Sequence, residues 1–210
     1  MSTKPSPASV PDGKYADCKS GVHELFRVRW SPRSFASREV PDEVLETILD
    51  AGRWAASSYN EQPWRFIVVK KEDTEAFQKL LSVLMPFNQA WAKNASVLVL
   101  TVARNNFSHN ETPNAYALHD TGAALAYMTL QATVSGLQAH GMAGFDKEKA
   151  REVFGIPPEF QIGAVAAFGY PDSPDKLSDD QLKQRELAPR TRKPLSEIAF
   201  SGRWGQPLAK

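Results

Sequence analysis

The chain has 210 residues, 42% hydrophobic and 10% aromatic, enough to bury a substantial core in one globular domain. Its 25 basic and 24 acidic residues leave a formal charge of +1, which offers no broad footprint to a nucleic-acid backbone or an anionic membrane. A single cysteine, Cys18, excludes an intrachain disulfide and a cysteine-rich zinc site. Residues 1–19 are proline-bearing and lack an apolar stretch, so they read as a disordered tail rather than a secretory signal or a membrane anchor. That reading implies a cytoplasmic protein, in which the glycosylation triplets at Asn94, Asn106 and Asn110 are chance. Residues 20–28 read as a short helix opening at Ser20. Residues 40–56 are the clearest helix: Pro41 fits the first turn, Asp42 and Glu43 favour the positive end of the dipole, and Val44, Ile48, Ala51 and Ala55 share a face. Residues 65–70 and 96–103 are continuous β-branched, apolar runs expected as central strands covered on both sides, with a helix at 73–84 between them.

Residues 115–141 form one long predicted helix rich in Ala, Gly and Thr, whose small side chains admit either a neighbouring helix or a flat ligand. Asp146 caps a further helix ending at Gly155, and residues 161–170 supply another buried strand. A short helix follows near 178–186. The last segment, 190–210, carries Leu195, Ile198, Phe200 and Trp204, which are costly to leave in water, so it should lie on another surface, a partner subunit being the natural candidate. Helices mixed with several buried strands argue for an α+β or α/β sandwich.

The chain lacks a GxGxxG after a strand, a GxxxxGK[ST], a GxSxG and an HExxH. His23, His109, His119 and His140 lie far apart, and each reads as a surface or satisfied core residue. Two stretches carry more. In RWSPRSF (29–35), Pro32 disfavours the helical region for Ser31, so the segment runs extended and side chains repeat direction every second residue. Arg29, Ser31 and Arg33 then share a face whose two guanidinium forks and hydroxyl suit a phosphate, although a solvated basic turn has the same composition. In AASSYNEQPW (55–64), Ala56, Ser57 and Ser58 allow close approach of backbone to a planar ligand. Asn60 and Gln62 each offer donors and an acceptor to a ring edge, while the plain alternative is a helix-to-strand turn set by Pro63.

Taken together, RWSPRSF, SSYNEQPWRFIVV, FNQAWAKNASVLVL (87–100), HDTGAALAYMTLQATVSGL (119–137), GMAGFD (141–146) and RTRKPLSE (190–197) resemble the FMN-dependent nitroreductase family over most of the chain beyond residue 22. The resemblance implies a central, mostly antiparallel sheet flanked by helices, with a domain over 20–189 and a carboxy-terminal arm, 190–210, reaching a partner in a homodimer. It implies FMN held by Arg29 at the phosphate, Ser31 beside it, and Arg33 towards the ribityl chain or the N1/O2 edge. Arg190 and Arg192 would close on the same phosphate. Ala56, Ser57, Ser58 and Asn60, with Gln62 in the same motif, would meet the flavin from the other subunit. Asn88 would lie near the pyrimidine end of the ring, and Gly144 where backbone passes the reactive edge. The activity implied is reduction of nitroaromatics, quinones or similar electrophiles by NADH or NADPH, with other FMN chemistry or a non-catalytic flavin-binding dimer as alternatives. Ala143 stands where many larger members carry an acidic residue, so no preference between the two nicotinamide donors follows.

Overall fold

The computed structural model describes residues 10–11 and 13–208. Four strands, β1 (Trp64–Lys70), β2 (Val97–Arg104), β3 (Gln138–Met142) and β4 (Phe160–Gly169), form one sheet in the order β1-β2-β4-β3 with every pairing antiparallel. In β2 every residue but the last is buried, as the unbroken apolar run demands. Its period-two alternation serves two cores. Leu98, Leu100 and Val102 join Phe77, Leu80, Trp91 and Phe145 on one face, and Val97 and Val99 join Ile48, Met128, Leu137 and Phe168 on the other.

The helices are α1 (Glu24–Val28), α2 (Asp42–Arg53), α3 (Thr74–Val83), α4 (Pro86–Ala92), α5 (Ala117–Val134), α6 (Lys147–Phe154) and α7 (Asp180–Leu187). They flank the sheet on both faces, so the architecture is the α+β sandwich expected. The small-residue helix α5 accommodates another helix: a Cβ on Gly52 of α2 would sit 2.6 Å from Met128 Cγ and 3.3 Å from Ala124 O. Asp146 caps α6 by accepting the Lys149 N–H, and Gly155 ends it with a left-handed φ of 59°. Among the described residues, no helix is long and apolar enough to cross a membrane.

Several boundaries differ from the sequence reading. The first helix starts at Glu24 with His23 as its cap, not at Ser20, and Pro41 caps α2 from outside. The buried stripe of α2 is Leu45, Ile48 and Gly52, with Val44 packed beside it and Ala55 buried just beyond, so the core-facing side holds the expected face and is wider by one position. β1 is an edge strand, mostly half-buried with only Trp64 and Val69 fully buried, rather than a central one. The helix expected over 115–141 stops at Val134: Gly136, at φ 80°, breaks it, and residues 138–142 turn back as β3. Of the expected tail, residues 1–9 and 12 lie outside the described residues, while Lys14 is buried and the Ala16 N–H donates to Arg27 O.

Candidate functional site

Beyond α1 the backbone opens to an extended path at Arg29 (φ −69°, ψ 125°), and burial alternates through the next five residues. Trp30, Pro32 and Ser34 are buried, while Arg29, Ser31 and Arg33 stay half-buried on the opposite side. The inward side is fastened to β3. Gln138 accepts the Trp30 N–H at 3.0 Å and donates to Val28 O at 3.2 Å, and His140 Nδ1 bonds Pro32 O at 2.8 Å. Because a carbonyl can only accept, that bond fixes the proton on Nδ1 of neutral His140. Desolvation first, and the Arg33 and Arg29 charges after it, pull the imidazole down to about 4 against the raising effect of its backbone bonds. The ring lies 4.5 Å from that of Trp91. The reading of His140 as a satisfied core residue agrees with this.

On the outward side, Arg29 donates to Ser31 Oγ at 3.3 Å. Its guanidinium is depressed by burial and then by the charges of Arg190 and Arg192, so cations from both ends of the chain act on one another. Like charges gathered in this way repel, and an anion bound among them would relieve the repulsion. Arg190 and Arg192 differ in freedom. Arg190 Nη1 donates to Lys14 O (3.0 Å) and Arg27 O (2.8 Å), whereas among the described residues exposed Arg192 bonds only the carbonyl of its neighbour Thr191. Arg33 lies 4.0 Å from Glu186, and its Nε is buried with no hydrogen-bond partner among the described residues.

Asn88, in α4, donates to Gly144 O at 3.0 Å, and the Met85 N–H donates to the same carbonyl. A Cβ at position 144 would stand 2.9 Å from Asn88 Nδ2, so a side chain here would push the Asn88 amide out of its present position. Gly144 lies two residues beyond the end of β3, so one edge strand leads both to the basic strip and to this junction. Ala143 is exposed and places no carboxylate beside it.

Ala56, Ser57, Ser58, Asn60 and Gln62 occupy the turn between α2 and β1. Tyr59 (φ 53°), Asn60 (φ 55°) and Gln62 (φ 51°) are all left-handed, a strained backbone for tyrosine and glutamine. The turn is fixed by the Gln62 N–H donating to Ser57 Oγ and by the Ser58 N–H donating to buried Asp120 at 2.9 Å. Glu61 accepts from the Ser108 N–H and Oγ, tying the turn to a neighbouring loop. Among the described residues no hydrogen bond joins this turn to the arginine cluster within one chain. A groove of about 730 Å³ between α2 and the outer edge of β1 is lined by Glu43, Glu46, Asp50, Arg53, Arg65 and Phe66 among others, and none of the residues singled out in the sequence lines it.

Three supporting residues were not legible as such. Glu186 lies in a charged helix that reads as a solvated face, yet its placement one turn from Leu182 puts it on that helix's buried side. Asp120 sits among small residues in α5, and Gln138 in the strand that was taken for helix. The residues present fit FMN: guanidinium groups and a hydroxyl for a phosphate, an unpartnered Arg33 Nε, and a glycine where a side chain would block close approach.

The nitroreductase family profile matches residues 26–170. An uncharacterized 15.4 kDa protein of Mycolicibacterium smegmatis is 39% identical over 134 residues, 64% of this chain and 88% of that protein. An NADH dehydrogenase of Thermus thermophilus is 28% identical over 174 residues, 68% of this chain and 83% of its own length. The crystal structure of an oxidoreductase containing FMN superposes with a TM-score of 0.86 at 39% identity, covering 94% of this chain and all of that one.

Proposed function

The chain belongs to the nitroreductase family, and on that premise we propose that it is a homodimeric, FMN-dependent oxidoreductase. It takes electrons from NADH or NADPH and reduces nitroaromatics, quinones or similar electrophiles, the donor leaving before the acceptor enters. The observation that carries this reading is the mutual electrostatic reach of Arg29, Arg190 and Arg192, with Ser31 bonded to the first of them. FMN supplies the redox chemistry when bound.

The chain's own residues bind, orient and polarise. Arg29, Ser31 and Arg192 hold the phosphate, each charge-assisted contact contributing roughly 1.5 to 3 kcal/mol. Arg190 keeps its segment in place through the carbonyls it bonds. Arg33 would supply positive charge on the side of the N1/O2 edge when FMN is bound, an electrostatic contribution of the oxyanion-hole type. Asn88 and Gly144 leave backbone free to approach the ring, and the partner's 56–62 turn covers it. No side chain serves as nucleophile, and a nicotinamide that visits briefly needs no dinucleotide-binding domain.

A second copy is expected to receive the arm. Leu195, Ile198 and Trp204 are 67%, 59% and 90% exposed, and the groove beside β1 has an acidic rim for a segment that carries Lys193 and Arg203. A cytoplasmic setting agrees with the half-buried free thiol of Cys18.

The test is anaerobic mixing of the FMN-loaded protein with NADH and, separately, NADPH. Flavin absorbance should fall rapidly with at least one donor and return when a quinone or nitroaromatic is added. Flavin that stays oxidised with both donors would leave only a flavin-binding dimer.

A further inference from the structure

We propose that Glu186 is the positioning residue that locks the two basic strips into one register and so sets how the site discriminates a phosphorylated flavin from an unphosphorylated one. The proposal rests on the reading that Arg29, Ser31 and Arg192 hold the FMN phosphate.

Glu186 is 1% exposed and stands in the last turn of α7. Its two carboxylate oxygens accept the Arg33 N–H at 3.0 and 2.9 Å, and one of them accepts the Ser34 N–H at 3.1 Å. A buried carboxylate is retained only where it is well bonded, and here the bonds come from consecutive backbone amides. What the carboxylate fixes is therefore the path of the 29–35 strip rather than one side chain. The groups acting on it are cationic: Arg33, with Nη1 at 4.0 Å, and Lys14.

Lys14 extends the same junction to the second strip. Its ammonium donates to Ala188 O at 2.5 Å, two residues beyond Glu186, and lies 5.3 Å from the Trp30 ring, inside the first strip. The Arg190 N–H donates to Gly13 O, and the Arg190 guanidinium to Lys14 O. Three segments that are distant in sequence, 13–14, 29–34 and 186–190, thus meet around the buried Glu186 carboxylate and the Lys14 ammonium. Glu186 and Lys14 both fall outside residues 26–170, the part matched by the family profile, so this reading is carried by contacts in the chain itself.

The test compares FMN with riboflavin, which lacks the phosphate, by fluorescence titration of apoprotein from wild type, Glu186→Gln and Lys14→Met. Glutamine keeps the shape, and its one oxygen can still accept from both amides, but it removes the charge and sets an NH2 group where the second oxygen accepted the Arg33 N–H. Glu186→Gln should lose FMN affinity by roughly tenfold, about the worth of one charge-assisted hydrogen bond. Riboflavin affinity should fall by clearly less, because of the strip only Arg33 is assigned to the ring, and Lys14→Met should shift the ratio the same way by a smaller factor. A general loosening of the fold would weaken both flavins alike, and that result, or an unchanged ratio, overturns the proposal. If Glu186→Gln does not fold, an unchanged ratio in Lys14→Met overturns it. A wild type without preference for FMN removes the phosphate reading itself, an outcome distinct from failure of Glu186 alone.

Discussion

Arg29 and Arg190 illustrate how one residue type can serve two purposes within electrostatic reach of each other. Arg29 spends its donors on Ser31 Oγ and otherwise faces like charge, so Arg29→Ala should weaken FMN binding at least about tenfold in a titration, with riboflavin unaffected. A variant that holds FMN as tightly as wild type would remove Arg29 from the phosphate site. Gly144 offers a second test. Gly144→Ala drives a methyl against Asn88 Nδ2 and should cost about 1 to 3 kcal/mol in denaturant unfolding. In an Asn88→Ala background the obstacle is gone, so the same change should cost at least about 1 kcal/mol less. Additive costs would mean that the backbone, not Asn88, limits the approach. Arg29, Ser31 and Arg33 were legible because Pro32 forces an extended path, and an extended path makes every second residue a neighbour. Glu186 was not, because a charged residue in a charged helix carries no mark of burial until its neighbours in space are known.

β3 is the element on which the strip depends, and it is the one whose sequence hides it. Gln-Ala-His-Gly-Met has no β-branched residue and continues a helical composition, so only Gly136 signals the reversal. β2 and β4, in contrast, announce themselves as unbroken apolar runs, and the Asp146 cap and Gly155 stop of α6 could be read directly. His140 gives β3 a measurable signature. Its pKa is about 4 in the folded chain against 6.5 unfolded, so the unfolded state binds more protons between those values. Stability that is complete above pH 6.5 should therefore fall as pH drops towards 4, by at most roughly 3 kcal/mol. Burial raises the Glu186 carboxyl, which works in the opposite sense, so the comparison needed is wild type against His140→Phe, where that contribution is common to both. The variant should lose less stability over this interval, and parallel pH profiles would rule His140 out as the source.

For the whole molecule, the described chain leaves two complementary surfaces open: the outer edge of β1 with the acidic rim of α2, and an arm with Trp204 90% exposed. Ending the chain at Arg192 keeps both basic strips and removes the apolar arm. Light scattering should then report a monomer with weakened flavin retention, and a truncated protein that stays dimeric and keeps its FMN would argue that other surfaces make the dimer. The sandwich itself was readable from the strands and helices. The edge position of β1 was not, because pairing partners are a property of topology rather than composition. The tie between Gly13–Lys14 and Ala188–Arg190 carries a consequence for biosynthesis. A ribosome makes the latter pair after all four strands, so a nascent chain would have its sheet assembled before the clasp can shut. On the proposed reading, yellow colour would then mark only copies that include the clasp, and ones stopped short of it would remain pale however well their interiors had packed.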